Sequence, residues 1–303
     1  MGDRNGARPV TQLPSPAKLG LTSPRAAEDL EALGFDSDDL RWTLAGAGDP
    51  DLALNNTHRF MQASGEWVKV RTLLIDDPVY RTRFFALMGG STALADHLIA
   101  HPDLWQELAK DVPSSEEALR VMLGAVDAEP AGADAAADAD SSADTASADL
   151  STPGTYRAGA AFDAPGSGNE QLRDAHRTLV MRVAAADLAG TFADTKGVAE
   201  AEQLGYRTTT EALTAIADAA LTAALALAVR RVYGDEEPGA RLSIIAMGKC
   251  GARELNYISD VDVIFVSEPV TPKITRTASE FMRIGTACFF DVDANLRPEG
   301  KSG

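Results

Sequence analysis

Two aspartates, Asp260 and Asp262, stand one residue apart in the stretch RLSIIAMGKCGARELNYISDVDVIFVSEP, residues 241–269. Apolar and β-branched residues surround them, so VDVIFVSE reads as a buried strand in which residues two apart share a face. The two carboxylates then project together, while Val261, Val263 and Phe265 cover the opposite side. Ionised carboxylates rarely enter such surroundings unpartnered, and neighbouring like charges call for a cation between them. An all-oxygen pair suits Mg2+, which takes one or two carboxylates together with water and phosphate oxygens. Upstream, MGKCGARELNY ends a strand at a glycine and opens a short helix. That turn, with Gly248, Lys249 and Gly251, presents backbone N–H groups to a phosphate. A third carboxylate, Asp293, follows in FFDVDANLRPEG on the next strand, with a helix between. Arg297 in the same stretch has the fork geometry for phosphate, or for pairing with Glu299. A lone Asp-x-Asp pair recurs by chance. Three carboxylates on adjacent strands beside a phosphate turn describe metal-assisted nucleotidyl or phosphoryl transfer.

Other residue patterns carry less chemistry. His97 and His101 have the i, i+4 spacing of a zinc pair. Leu98 stands where a metalloprotease helix has glutamate, and no third ligand is evident, so a surface pair flanking Pro102 is expected. Arg253 and Glu254 read as the beginning of the helix after the glycine turn. Two cysteines, Cys250 and Cys288, are too few for a disulfide framework or a thiolate zinc site, which suits a reducing cytosol.

The elements that must position these residues follow from periodicity. Residues 1–25 are rich in Pro, Gly and Arg and read as a disordered lead-in. A helical domain is expected over 26–124, with Ser23 as a cap, Gly89 and Gly90 breaking a helix, and Ser91 capping the next. Residues 125–170 consist mostly of Ala, Asp, Ser, Gly and Pro. From Asp127 to Glu170 there are nine acids against one base, Arg157. Such a segment buries too little apolar surface to offset its ordering entropy, so it reads as a linker, with 128–168 dispensable for folding. Leu172, His176, Leu179, Val183 and Ala186 recur at helical spacing, as do Leu213, Ile216, Ala220, Ala224 and Leu227, giving a helical segment over 171–237. From 238 to 303 the period changes to short strands around one helix. The fold class is α+β, with a mostly helical N-terminal region before a small mixed sheet.

Composition excludes several function classes. The 303 residues carry a net charge of −17, the reverse of the basic face of a nucleic-acid binder. The most apolar run, AALTAALALAV at 219–229, is too short to span a bilayer, and the N-terminus shows no apolar signal segment. A cytoplasmic protein engaging neither nucleic acid nor membrane is expected.

The pattern of an apolar strand, Gly248, about ten residues and then Asp260-x-Asp262 resembles the nucleotidyltransferase superfamily that includes DNA polymerase β. More closely, MGKCGARELNYISDVDVIFV with FFDVDANLRPEGKSG resembles glutamine synthetase adenylyltransferase, also called the adenylyl-removing enzyme. ALMGGSTALADHLIAHPDLWQELA is similar to that family's N-terminal helical region. The resemblance covers roughly residues 26–124 and 171–303. It implies a polymerase β-like core, incomplete at the C-terminus, at the end of the first of two related domains. That domain removes AMP from a tyrosine of adenylylated glutamine synthetase by phosphorolysis, releasing ADP; the second adds it from ATP. By the same resemblance Asp260, Asp262 and Asp293 are metal and catalytic ligands, Gly248, Lys249 and Gly251 hold phosphate, and Mg2+ is the cofactor. Phosphate, ADP or ATP, glutamine synthetase and a PII-type regulator are the implied partners. The chain departs from the family at Cys250, where a bulkier apolar residue is usual, and at Ala252, which replaces a glycine. The rival reading is a non-catalytic module that binds glutamine synthetase or the regulator.

Overall fold

The computed structural model describes residues 13–130, 156–190 and 204–294. They divide into two compact units, one of residues up to 111 with 184–190, the other of 112–183 and 204–294.

The first unit is helical: α1 (Ala26–Ala32), α2 (Asp38–Ala45), α3 (Pro50–Ala63), α4 (Trp67–Asp76), α5 (Pro78–Gly90) and α6 (Thr92–Ala100). Ser37, Asp49, Asp77 and Ser91 each accept a backbone N–H three residues on, and proline opens α3 and α5. Phe35, Phe60, Tyr80, Phe84 and Phe85 fill the core, with edge-on contacts at 5.6 Å (Phe35–Phe85) and 5.7 Å (Phe60–Phe84).

Three expectations are corrected in this unit. Residues 13–25 of the lead-in are ordered, with Leu19 and Leu21 buried and Asp51 accepting from the Thr22 and Ser23 N–H groups, while 1–12 lie outside the described residues. Helix α5 runs through Gly89 and Gly90, and Gly89 serves close packing instead of breaking the helix, since a Cβ there would stand 2.8 Å from the Asp49 carbonyl. His97 is buried, its ring 4.7 Å from that of His101, so the pair is not a surface feature.

The second unit begins with α7 (Ser115–Gly124) and a two-stranded arch of β1 (Glu129–Pro130) and β2 (Tyr156–Arg157), paired antiparallel. Helix α8 (Asn169–Gly190) contributes residues to both units, and α9 (Tyr206–Tyr233) is the spine of the second. The linker expectation therefore fails at both ends. Val126 and Ala158 are fully buried, Tyr156 nearly so, and Asp163 pairs with the Arg230 guanidinium. The remainder, 131–155, lies outside the described residues. Helix α9 is long and apolar enough to cross a membrane, yet 78% of its most apolar window is buried. Its alanines let α7, α11 (Pro272–Cys288) and β2 approach closely, so it is a core helix.

Strands β3 (Arg241–Ala246), β4 (Val261–Glu268) and β5 (Val292–Asp293) form the mixed sheet in that order, β3–β4 antiparallel and β4–β5 parallel. Its inner face packs on α11, with Val261 and Val263 buried and Phe265 edge-on to Phe281 at 5.8 Å. The outer face carries Ile245, Ile264 and Val266, all exposed among the described residues. The reading of a buried strand is thus corrected: β4 is covered on one side only, and alternation places Asp262 on the other.

Candidate functional site

The site is assembled where β3 ends, β4 begins and β5 joins. Strand β4 starts at Val261, so Asp260 sits just ahead of it and is exposed, while Asp262 is half-buried on the outer face. In the parallel ladder Asp262 is the register partner of Asp293, and partners in register share a face. Strand β5 is set in place by α11. The Val292 N–H donates to the Thr286 hydroxyl at 3.3 Å, and the Val261 N–H donates to the Asp291 carbonyl at 2.9 Å. Gly285 makes this approach possible, since a Cβ there would lie 2.6 Å from Val292 Cγ2. The sequence reading missed Gly285 and Thr286; a glycine inside a helical pattern was the available signal.

The glycine turn stands on the opposite side of Asp262. The Met247 N–H donates to the Asp262 carbonyl at 2.8 Å, which extends the β3–β4 ladder and brings Gly248 beside Asp262. Gly248 has φ 55°, and a Cβ there would be 3.0 Å from Asp262 Oδ2. Helix α10 (Gly248–Gly251) then folds back on β3, with Gly251 so close that a Cβ would lie 2.6 Å from the Ala246 carbonyl. At one turn its dipole is small, and what it offers an anion is the N–H groups that a first turn leaves without intrahelical acceptors. Gly248, Lys249 and Gly251 are all solvent-exposed.

Ala252, where the resemblance noted above implies a glycine, is right-handed at φ −83° and tolerates its side chain. The left-handed residue is Arg253, at φ 61°. Arg253 and Glu254 end α10, donating to the Cys250 carbonyl at 3.1 Å and the Lys249 carbonyl at 2.8 Å, which corrects the expectation that they begin a helix. Burial, and then Asp218, pushes the Cys250 thiol up to about 11, so it serves as an apolar filler and not as a nucleophile.

Asp262 and Asp293 therefore share one open sheet face, with Asp260 just ahead of β4 and Gly248 against the Asp262 carboxylate. An exposed all-oxygen donor set of this kind fits a hard divalent cation that keeps several waters. Arg297 lies outside the described residues.

Residues 160–303 match the family model described as glutamate-ammonia ligase adenylyltransferase. Three relatives share the name bifunctional glutamine synthetase adenylyltransferase/adenylyl-removing enzyme. The one from Corynebacterium diphtheriae is 49% identical over 96% of this chain and 30% of its own length. Those from Nocardia farcinica and Mycobacterium tuberculosis are 44% and 40% identical, each over 96% of this chain, and over 27% and 26% of their own lengths. The chain thus spans less than a third of the length of the curated relatives it matches. It belongs to the glutamate-ammonia ligase adenylyltransferase family.

Proposed function

We propose that this chain carries the deadenylylating site of such an enzyme, acting on adenylyl-tyrosine of glutamine synthetase with phosphate as the second substrate. The observation that carries the reading is the register pairing of Asp262 with Asp293 on one open face, with Gly248 packed against Asp262. In the reaction a phosphate oxygen attacks the AMP phosphorus and the bond to the tyrosine oxygen breaks, giving ADP and free tyrosine. Asp260, Asp262 and Asp293 would hold Mg2+, which supplies positive charge to the phosphoryl oxygens when bound. The turn at Gly248 would offer its N–H groups to phosphate, and Lys249 an added positive charge. The deadenylylating direction is supported by the resemblance of residues 26–124 to the family's N-terminal helical region.

The test is ADP release from adenylylated glutamine synthetase, with phosphate and Mg2+ supplied together and each withheld in turn. ADP appearing only with both is the expected result; release that ignores either one, or none at all, sinks the reading. The rival is a module that binds glutamine synthetase or a PII-type regulator without turnover. Tight binding of adenylylated glutamine synthetase with no ADP release would select it.

A further inference from the structure

Behind the glycine turn stands α9, and two of its side chains reach that turn. Thr214, fully buried, accepts the Leu255 N–H at 3.3 Å and donates to the Thr210 carbonyl at 2.8 Å. One helical turn on, Asp218 faces Cys250, with Oδ1 and Sγ 4.0 Å apart. Cys250 and Leu255 are both buried, so residues at i and i+4 on one face of α9 bracket the segment 250–255. Inside that bracket Arg253 holds its left-handed conformation, in a region that side-chain-bearing residues seldom occupy. Its side chain lines a cavity of about 170 Å3 together with Thr214, Asp218 and Glu211. Partial burial raises the Asp218 carboxyl above the usual carboxylate range, and attraction to Arg253 opposes that rise. On the front of the same turn, Gly248 abuts Asp262 and Gly251 abuts the Ala246 carbonyl, with no room for a Cβ at the latter.

We infer that Thr214 and Asp218 are positioning residues that hold the turn 248–255 against Asp262, so that α9 sets the geometry of the phosphate and metal groups it does not touch. The inference rests on the nucleotide reading above. Neither residue was singled out by the sequence pattern, because a threonine and an aspartate on an alanine-rich helix read as its polar face.

The full chain is compared with Thr214→Val, Thr214→Ser and Asp218→Asn, by amide exchange over 248–255 and by titration with Mg2+ and ADP. Thr214→Val leaves the buried Leu255 N–H without its acceptor, and Thr214→Ser keeps the hydroxyl. Thr214→Val and Asp218→Asn are each expected to weaken Mg·ADP binding about tenfold and speed exchange in the turn, with Thr214→Ser close to the parent. A purely structural role would lower the melting temperature and leave the affinity of the folded chain unmoved. Parent affinity in Asp218→Asn, or equal affinities in folded Thr214→Val and Thr214→Ser, overturns the inference alone. A parent chain that binds no Mg·ADP overturns the nucleotide reading, and the inference falls with it.

Discussion

At the scale of single residues, Gly248 is the most constrained position of the site. Its φ of 55° is strained for any side chain, and a Cβ would meet Asp262 Oδ2 at 3.0 Å. Gly248→Ala is therefore expected to cost about 1–2 kcal/mol through the backbone alone. It is also expected to turn Asp262 away from its present rotamer and weaken Mg·ADP binding by about tenfold or more. Chemical denaturation and a nucleotide titration read the two effects separately. Intact affinity in a destabilised variant would show that Asp262 does not depend on this contact. Gly248, Asp262 and Asp293 were legible as candidates in the sequence, from the glycine turn and the alternation of strand residues, while the register that pairs Asp262 with Asp293 was not. The roles of Gly285, Thr286, Thr214 and Asp218 were not, because they arise from packing between segments distant along the chain. Arg253 is instructive: the resemblance put a lost glycine at Ala252, and the left-handed conformation falls one residue later.

At the scale of elements, composition misjudged the acidic segment because it averages over residues that do different things. Val126, Tyr156 and Ala158 are few among many alanines and aspartates, yet they pack into the core of the second unit. The β1–β2 pair brings Pro130 opposite Tyr156, so the chain leaves and returns at one point. Replacing 131–155 by Asn-Gly, which suits a two-residue hairpin turn, is expected to move the melting temperature by no more than a few degrees. Removing 128–168 takes away buried Ala158 and the Asp163 partner of Arg230, and is expected to abolish cooperative unfolding. Equal behaviour of the two deletions would show that the arch adds nothing. The α9 stripe was readable from periodicity, but the ion pair joining α9 to α11 was not. Glu280 on α11 accepts from Arg283 and from Arg231 of α9, and these bonds, Arg283 foremost, hold its carboxyl down to about 2. A depressed carboxylate contributes stability above its unfolded pKa of about 4.3, and loses it as pH falls through the folded value. The stability gap between parent and Glu280→Gln should be full at neutral pH and close between about pH 4.5 and 2. A gap that persists undiminished at the acid end would remove this pair from the account.

At the scale of the whole molecule, the described residues form two units with different work to do. The first is an aromatic-cored helical unit, and none of the residues read for Mg2+ and phosphate among the described ones lies in it. The second holds the sheet, the turn and all three carboxylates. Ligand binding stabilises what it contacts, and at a hundredfold excess over the dissociation constant it contributes about 2.7 kcal/mol. With Mg2+ and ADP together, amide exchange should therefore slow in β3, in the turn 248–255 and in β4 and β5. The amides of α1 to α6 should exchange at their unliganded rates. Mg2+ alone or ADP alone should protect much less, because the carboxylates repel a nucleotide whose charge no cation offsets. Protection spread evenly over both units would mean that nucleotide acts on the fold at large. Protection confined to α1–α6 would place the ligand away from Asp260, Asp262 and Asp293, and the assignment of those three would be wrong.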